Sequence, residues 1–201
     1  MAGKLYLFVV SLLLYQSTST KVILFFGDSL TAGYGLSPEE AFPAWVEKDL
    51  SREGNKVSVV NAGLSGETSA GGLTRIDWIL RQHIDVFILE LGANDGLRGL
   101  PLDQTRNNLQ AIINKVKTKY PKVRIVLAGM MVPPNMGKEY SAAFQNLYKE
   151  LAQKNKAVLI PFLLEGVAGI EKLNQADGIH PNAEGHRIVA KNVEKVIKPI
   201  L

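Results

Sequence analysis

The chain of 201 residues contains no cysteine. That absence excludes disulfides, a thiolate nucleophile, a thiolate zinc site and a lipid anchor on an N-terminal cysteine. Histidine is scarce as well: His83, His180 and His186 are spaced too widely for a metal-ligand motif, so no metal is expected, and the serine chemistry read below calls for no organic cofactor. Basic residues are nowhere concentrated among aromatics. The formal charge of +4, from 23 Lys and Arg against 19 Asp and Glu, therefore does not describe a nucleic-acid surface. What is present is apolar mass. A hydrophobic content of 46% in a chain of this length suffices for one sizeable core and predicts a single domain.

The first twenty residues carry an export pattern. Lys4 supplies a positive start, Leu5 to Tyr15 is an apolar stretch of eleven residues, and Gln16-Ser17-Thr18-Ser19-Thr20 is small and polar. Eleven residues fall short of the roughly 20 that a spanning helix needs. The segment 1–19 thus reads as a signal peptide cleaved after Ser19, with an uncleaved N-terminal anchor as the alternative, and 20–201 as the folded domain. A periplasmic or secreted protein is expected, with no stable membrane span once the signal is removed. Nothing in the sequence demands more than a monomer.

From residue 20 onward, strand-like and helix-like segments alternate. Runs rich in Val, Ile, Leu or Phe occupy Lys21 to Phe26, Lys56 to Asn61, Asp85 to Leu91, Val123 to Ala128 and Ala157 to Phe162. Between Pro101 and Pro121, the residues Leu102, Leu109, Ile112, Ile113 and Val116 recur on one face of a helix. A last helix is predicted after Pro181, capped by Asn182 and burying Ile188, Val189, Val193, Val196 and Ile197. Five βα units predict an α/β fold: a three-layer α/β/α sandwich around a flavodoxin-like five-stranded parallel sheet in the order 2-1-3-4-5.

In such a sheet, functional groups gather where the strands end. Ser29 follows the first strand, Ser65-Gly66 the second, Asn94 the third, and Asp177 with His180 the fifth. A serine hydroxyl is a poor nucleophile without a base. His180 is the candidate base, and Asp177, three residues earlier, can accept its other ring N–H. The amides of Ser29 and Gly66 and the side chain of Asn94 can supply three donors to an oxyanion, each worth about 2.7–4 kcal/mol of barrier. Asp28 and Asp95 read as loop organisers, and His83 and His186 as structural or exposed. A binding domain that cradles phosphate or a cofactor at the same edge is the rival reading. Neither a Walker motif nor Gly-x-Gly-x-x-Gly follows the first strand, where Gly27-Asp28-Ser29-Leu30-Thr31-Ala32-Gly33 stands instead.

Four blocks carry a resemblance: Gly27-Asp28-Ser29-Leu30-Thr31, Asn61-Ala62-Gly63-Leu64-Ser65-Gly66-Glu67-Thr68, Gly92-Ala93-Asn94-Asp95 and Asp177-Gly178-Ile179-His180-Pro181. In this order they resemble the signature blocks of the SGNH (GDSL) hydrolase family, within it the bacterial periplasmic thioesterase, lysophospholipase and arylesterase subgroup. The resemblance spans nearly everything from Lys21 to Leu201. It implies Ser29, Gly66, Asn94 and His180 as the name-giving residues, with Asp177 completing a triad, and Gly66 rather than Gly63 as the oxyanion glycine because it follows the serine. It also implies an exported serine esterase acting on acyl thioesters, lysophospholipids and simple esters through an acyl-enzyme. A deacetylase of acetylated polysaccharide is the alternative within the family. Three of the four methionines lie in the loop after the fourth strand, and Met130, Met131, Pro133 and Met136 are expected to line an acyl groove. Tyr34, Leu36 and Leu97 are candidates for the same wall.

Overall fold

The computed structural model describes residues 19–201, so the expected leader lies, apart from its last residue, outside the described residues. Strands β1 (Lys21–Gly27), β2 (Val57–Gly63), β3 (Val86–Glu90), β4 (Arg124–Ala128) and β5 (Val158–Ile160) form one sheet in which every neighbouring pair is parallel. Their order is β2-β1-β3-β4-β5, as the alternation of segments predicts. The strands at the centre are the apolar ones: every residue of β3 is buried, as are the last five of β1. Such runs suit a sheet covered on both faces.

The covering helices are α1 (Ser29–Ala32), α2 (Phe42–Arg52), α3 (Ser69–Ile79), α4 (Ala93–Leu97), α5 (Leu102–Lys119), α6 (Lys138–Asn155) and α7 (Ala183–Ile197). Helix α2 packs with α7, while α3 packs with α5 and α5 with α6. Right-handed crossovers place these two groups on opposite faces. Helix α5 buries Leu109, Ile112, Ile113 and Val116, with Asp103 in its first turn and Lys117 and Lys119 in its last, each charge opposing the helix dipole. Helix α7 begins at Asn182, whose side chain accepts from the amides of Glu184 and Gly185. It buries Val189, Val193 and Ile197, with Ile188 and Val196 partly covered at the margin. The fifth strand is shorter than its apolar run because Pro161 has no N–H to donate to a ladder. Among the described residues, no helix is long and apolar enough to cross a membrane.

One histidine is part of this framework. Helix α2 opens at Phe42 behind Ala41, which has no side-chain acceptor for the helix's free amides. The amide of Phe42 donates instead to Nδ1 of His186, at 3.1 Å, from α7 on the same face. The imidazole is 1% exposed and stacks on the Phe42 ring, with centroids 6.0 Å apart. A ring that accepts at Nδ1 in a dry site has to be neutral. Burial, with the charge of His180 adding to it, pulls the His186 pKa down to about 4.

Between about pH 6.5 and pH 4 the unfolded chain therefore binds a proton here that the native state refuses. The contribution of His186 to stability is complete above that window and falls by up to about 3 kcal/mol as the pH drops through it. Urea unfolding of the parent and His186→Phe should show a stability difference that is constant above pH 7 and shifts against the parent towards pH 4. A difference independent of pH would mean that His186 titrates alike in both states.

Candidate active site

The nucleophile candidate is set by a tight passage from strand to helix. Strand β1 ends at Gly27, Asp28 caps α1 by accepting from the amide of Leu30 at 3.0 Å, and Ser29 is the first helical residue. A side chain at position 27 has no room: its Cβ would stand 2.2 Å from Thr31 Oγ1 and 2.4 Å from Glu90 Oε2. Helix α1 stops after one turn at Gly33, whose φ of +77° is left-handed.

The base candidate comes from the segment between β5 and α7. His180 Nε2 lies 2.9 Å from Ser29 Oγ, and His180 Nδ1 lies 2.6 Å from Asp177 Oδ2. The other oxygen of Asp177 accepts from the amides of Ile179 and His180, at 2.9 and 3.0 Å. The ring's hydrogen bond, followed by those two amides, holds the Asp177 carboxyl down at about 2. It is a fixed anion under the ring at any ordinary pH. The Tyr34 ring lies against His180, with centroids 4.7 Å apart.

Gln175 joins the two segments and carries no sequence signal that marks it. Its amide donates to the carbonyl of His180 at 2.7 Å, and its side-chain nitrogen donates to the carbonyls of Tyr34 and Pro181 at 2.7 and 3.0 Å. The histidine loop is thereby tied to the exit of the serine helix.

Gly66 sits in the turn after β2 with a φ of +80°, a conformation that turns its N–H outward at little cost only without a Cβ. The amides of Ser29 and Gly66 make no hydrogen bond to any described residue. Asn94, in α4, differs: its side-chain nitrogen donates to Asp28 Oδ2 and to the carbonyl of Glu67, both at 3.0 Å. Both amide hydrogens are engaged, so an oxyanion would have to share one of them. The Gly66 turn is braced from behind. Arg75 grips Glu67 through two bonds of 2.5 and 2.6 Å and the carbonyl of Ala62 at 2.7 Å, and Arg98 donates to the carbonyl of Gly66 at 3.2 Å.

Asp95 faces away from the serine, accepting from the amide and hydroxyl of Ser69 and from Thr105. It fastens α3 to α4, as a loop organiser would. The methionine loop divides. Met131 and Pro133 are exposed, Met136 is partly buried against the core, and Met130 is fully packed within it. Met130 offers no surface to a ligand, because the alternation at the end of β4 turns it inward. His83 is exposed and pairs with Asp85 at 3.0 Å. Among the described residues, no group of three or more His, Asp or Glu is placed to hold a metal ion.

Comparison with known proteins agrees with this frame. The profile of the GDSL-like Lipase/Acylhydrolase family matches residues 25–188. The chain is 40% identical over 190 residues to the esterase TesA of Pseudomonas aeruginosa, covering 94% of each chain. It is 38% identical over 197 residues to thioesterase 1/protease 1/lysophospholipase L1 of Escherichia coli, covering 98% of this chain and 92% of that one. A crystal structure of TesA superposes with a TM-score of 0.86 at 39% identity, covering 90% of this chain and all of that one.

The passage at Gly27 admits a direct check. Gly27→Ala should destabilise the protein by about 1–3 kcal/mol through crowding against Thr31 and Glu90. Gly66→Ala meets nothing within 4 Å and should cost only the roughly 1–2 kcal/mol of its left-handed backbone. Thermal unfolding of the two variants, with Ser29 alkylphosphonate labelling beside it, measures both. A Gly27→Ala protein as stable and as reactive as the parent would remove the steric argument.

Proposed function

The chain belongs to the GDSL-like lipase/acylhydrolase family, and we propose that it is an exported serine esterase hydrolysing acyl thioesters, lysophospholipids and simple esters through an acyl-enzyme on Ser29. The observation that carries this reading is the continuous chain of hydrogen bonds Ser29–His180–Asp177, of 2.9 and 2.6 Å, beside two amides with no partner among the described residues.

Ser29 Oγ attacks the acyl carbonyl while its proton passes to His180 Nε2. Asp177, accepting from Nδ1–H, holds the tautomer that leaves Nε2 free and stabilises the imidazolium. The carbonyl oxygen becomes an oxyanion between the amides of Ser29 and Gly66, and Asn94 shares its Asp28-bound or Glu67-bound hydrogen with it. Collapse breaks the bond to the leaving thiol or alcohol, which takes the proton from Nε2. Water, deprotonated in turn by His180, attacks the acyl-enzyme and releases the acid and free Ser29.

An apolar acyl chain is favoured by what surrounds the serine. Tyr34, Leu64, Leu97, Met131 and Ile179 are large, apolar and exposed; Leu97 ends α4 and the other four lie on loops leaving the sheet edge that bears Ser29. Exposed apolar residues gathered at one site mark a binding surface rather than scatter.

Hydrolysis of p-nitrophenyl esters from acetyl to palmitoyl, with Ser29→Ala in parallel, tests the assignment. Activity on medium and long chains that vanishes in the variant is expected. Cleavage of acetyl esters alone would move the protein to polysaccharide deacetylation, and an active Ser29→Ala would remove the nucleophile. Export rests on Lys4 and the Leu5 to Tyr15 run. The protein recovered from its host's envelope should begin at Thr20, whereas an intact Met1 would mean an anchor.

A further inference from the structure

Behind the serine lies a buried pair of carboxyls, Asp28 and Glu90, neither of which exchanges a proton in the hydrolytic scheme. Glu90 ends β3 directly beside Gly27 of β1, and its side chain fills the space that the glycine leaves open. It is 0% exposed and its neighbour Asp28 is 1% exposed. Glu90 Oε2 accepts from the amide of Asp28 at 3.1 Å and from Thr31 Oγ1 at 2.8 Å, while Oε1 is buried with no donor. Asp28 uses both of its oxygens, one on the amide of Leu30 and one on Asn94, and also meets the Glu90 carboxyl. Among the described residues, no Lys or Arg side chain bonds either acid.

Two carboxylates in one dry site without a cation cannot both be charged. The donors decide which one keeps the proton. Leu30 N–H and Asn94 N–H can only donate, so they select the ionised form of Asp28. An oxygen of Glu90 that no donor reaches is where a proton belongs.

We propose that Glu90 is a positioning residue that stays protonated in the working protein, donates its Oε1–H to Asp28, and so makes Asp28 the single charge that holds Asn94 beside Ser29. The consequence for Asn94 rests on the esterase reading above; the protonation of Glu90 does not. Burial raises Asp28 to about 6 and raises Glu90 well beyond its usual range, the Asp28 charge adding to the second effect. The remaining titratable groups around the pair fit one negative charge. The charge His180 carries acts on Asp28 and favours its ionised form. Tyr148, donating to the carbonyl of Leu91 at 3.0 Å, is kept neutral above all by burial.

The test reads the proton first. Infrared spectra of the parent labelled with carboxyl-¹³C glutamate, at pH 8, should contain a carboxylic-acid C=O band that the label shifts and that Glu90→Gln lacks. Kinetics follow on the same proteins. Glu90→Leu should lower kcat about tenfold or more with KM little changed, and Glu90→Gln, which offers Asp28 an N–H without charge, should restore most of it. Absence of any glutamic-acid band in the folded parent overturns the proposal, as does Glu90→Gln no better than Glu90→Leu when both are folded. The labelled parent needs no variant, so a misfolded substitution leaves the first measurement intact. If Ser29→Ala hydrolyses esters while the acid band is present, the acyl-enzyme on Ser29 fails and the protonated Glu90 stands.

Discussion

Strands β1 and β3 end side by side deep inside the protein, and every polar group at their ends has to be satisfied without water. The register that puts Gly27 opposite Glu90 makes this severe, since a carboxyl group is delivered into the core at the point where the chain must turn. Gly27 gives the space, Thr31 and the amide of Asp28 give the donors, and Asp28 in turn reaches Asn94. A buried acid left unmatched would cost several kcal/mol. The turn that presents Ser29, the short helix α1 and the placement of α4 are all answers to that one constraint.

The same residue type serves opposite ends in this arrangement. Asp177 stands at the surface among donors and is held ionised at about 2, while Asp28 is sealed from water and pushed up to about 6. Neither shift comes from a lysine or arginine partner. Hydrogen bonds produce one and desolvation the other. His180 lies between them, with a permanent anion against Nδ1 and a buried, once-charged pair on its far side. In α7, His186 shows the converse case: a histidine kept neutral because it has to accept a helix's free amide.

The blocks around Ser29, Gly66, Asn94 and His180 are legible in the sequence because each follows a strand, and strand runs of Val, Ile, Leu and Phe are readable from composition alone. The two glycines of the second block show how far that goes. Gly66 needs its left-handed φ of +80°, whereas a Cβ on Gly63 would stand 2.2 Å from the amide of Ala32, so it is there to let β2 approach α1. Sequence alone separates them by analogy with a family, not by cause. Glu90 and Gln175 were not legible at all. The first reads as one polar residue closing an apolar run, and the second as an ordinary surface glutamine, until Asp28 and Tyr34 come against them. Met130 fails in the other direction, since a Met-rich loop carries no mark of which side chain turns inward.

Order along the chain, strand and helix periods and proline stops therefore decide the elements of the sheet, and with right-handed crossovers its topology and the edge at which chemistry collects, because those periods are local properties of residues two to four apart. Which proton sits where is decided only in three dimensions. Protonation depends on burial and on donors brought from β1, β3 and α4, up to 66 residues apart between Asp28 and Asn94. Desolvation has no local sequence signature: an Asp in the exposed loop and an Asp beneath the serine are the same letter until the core closes around one of them.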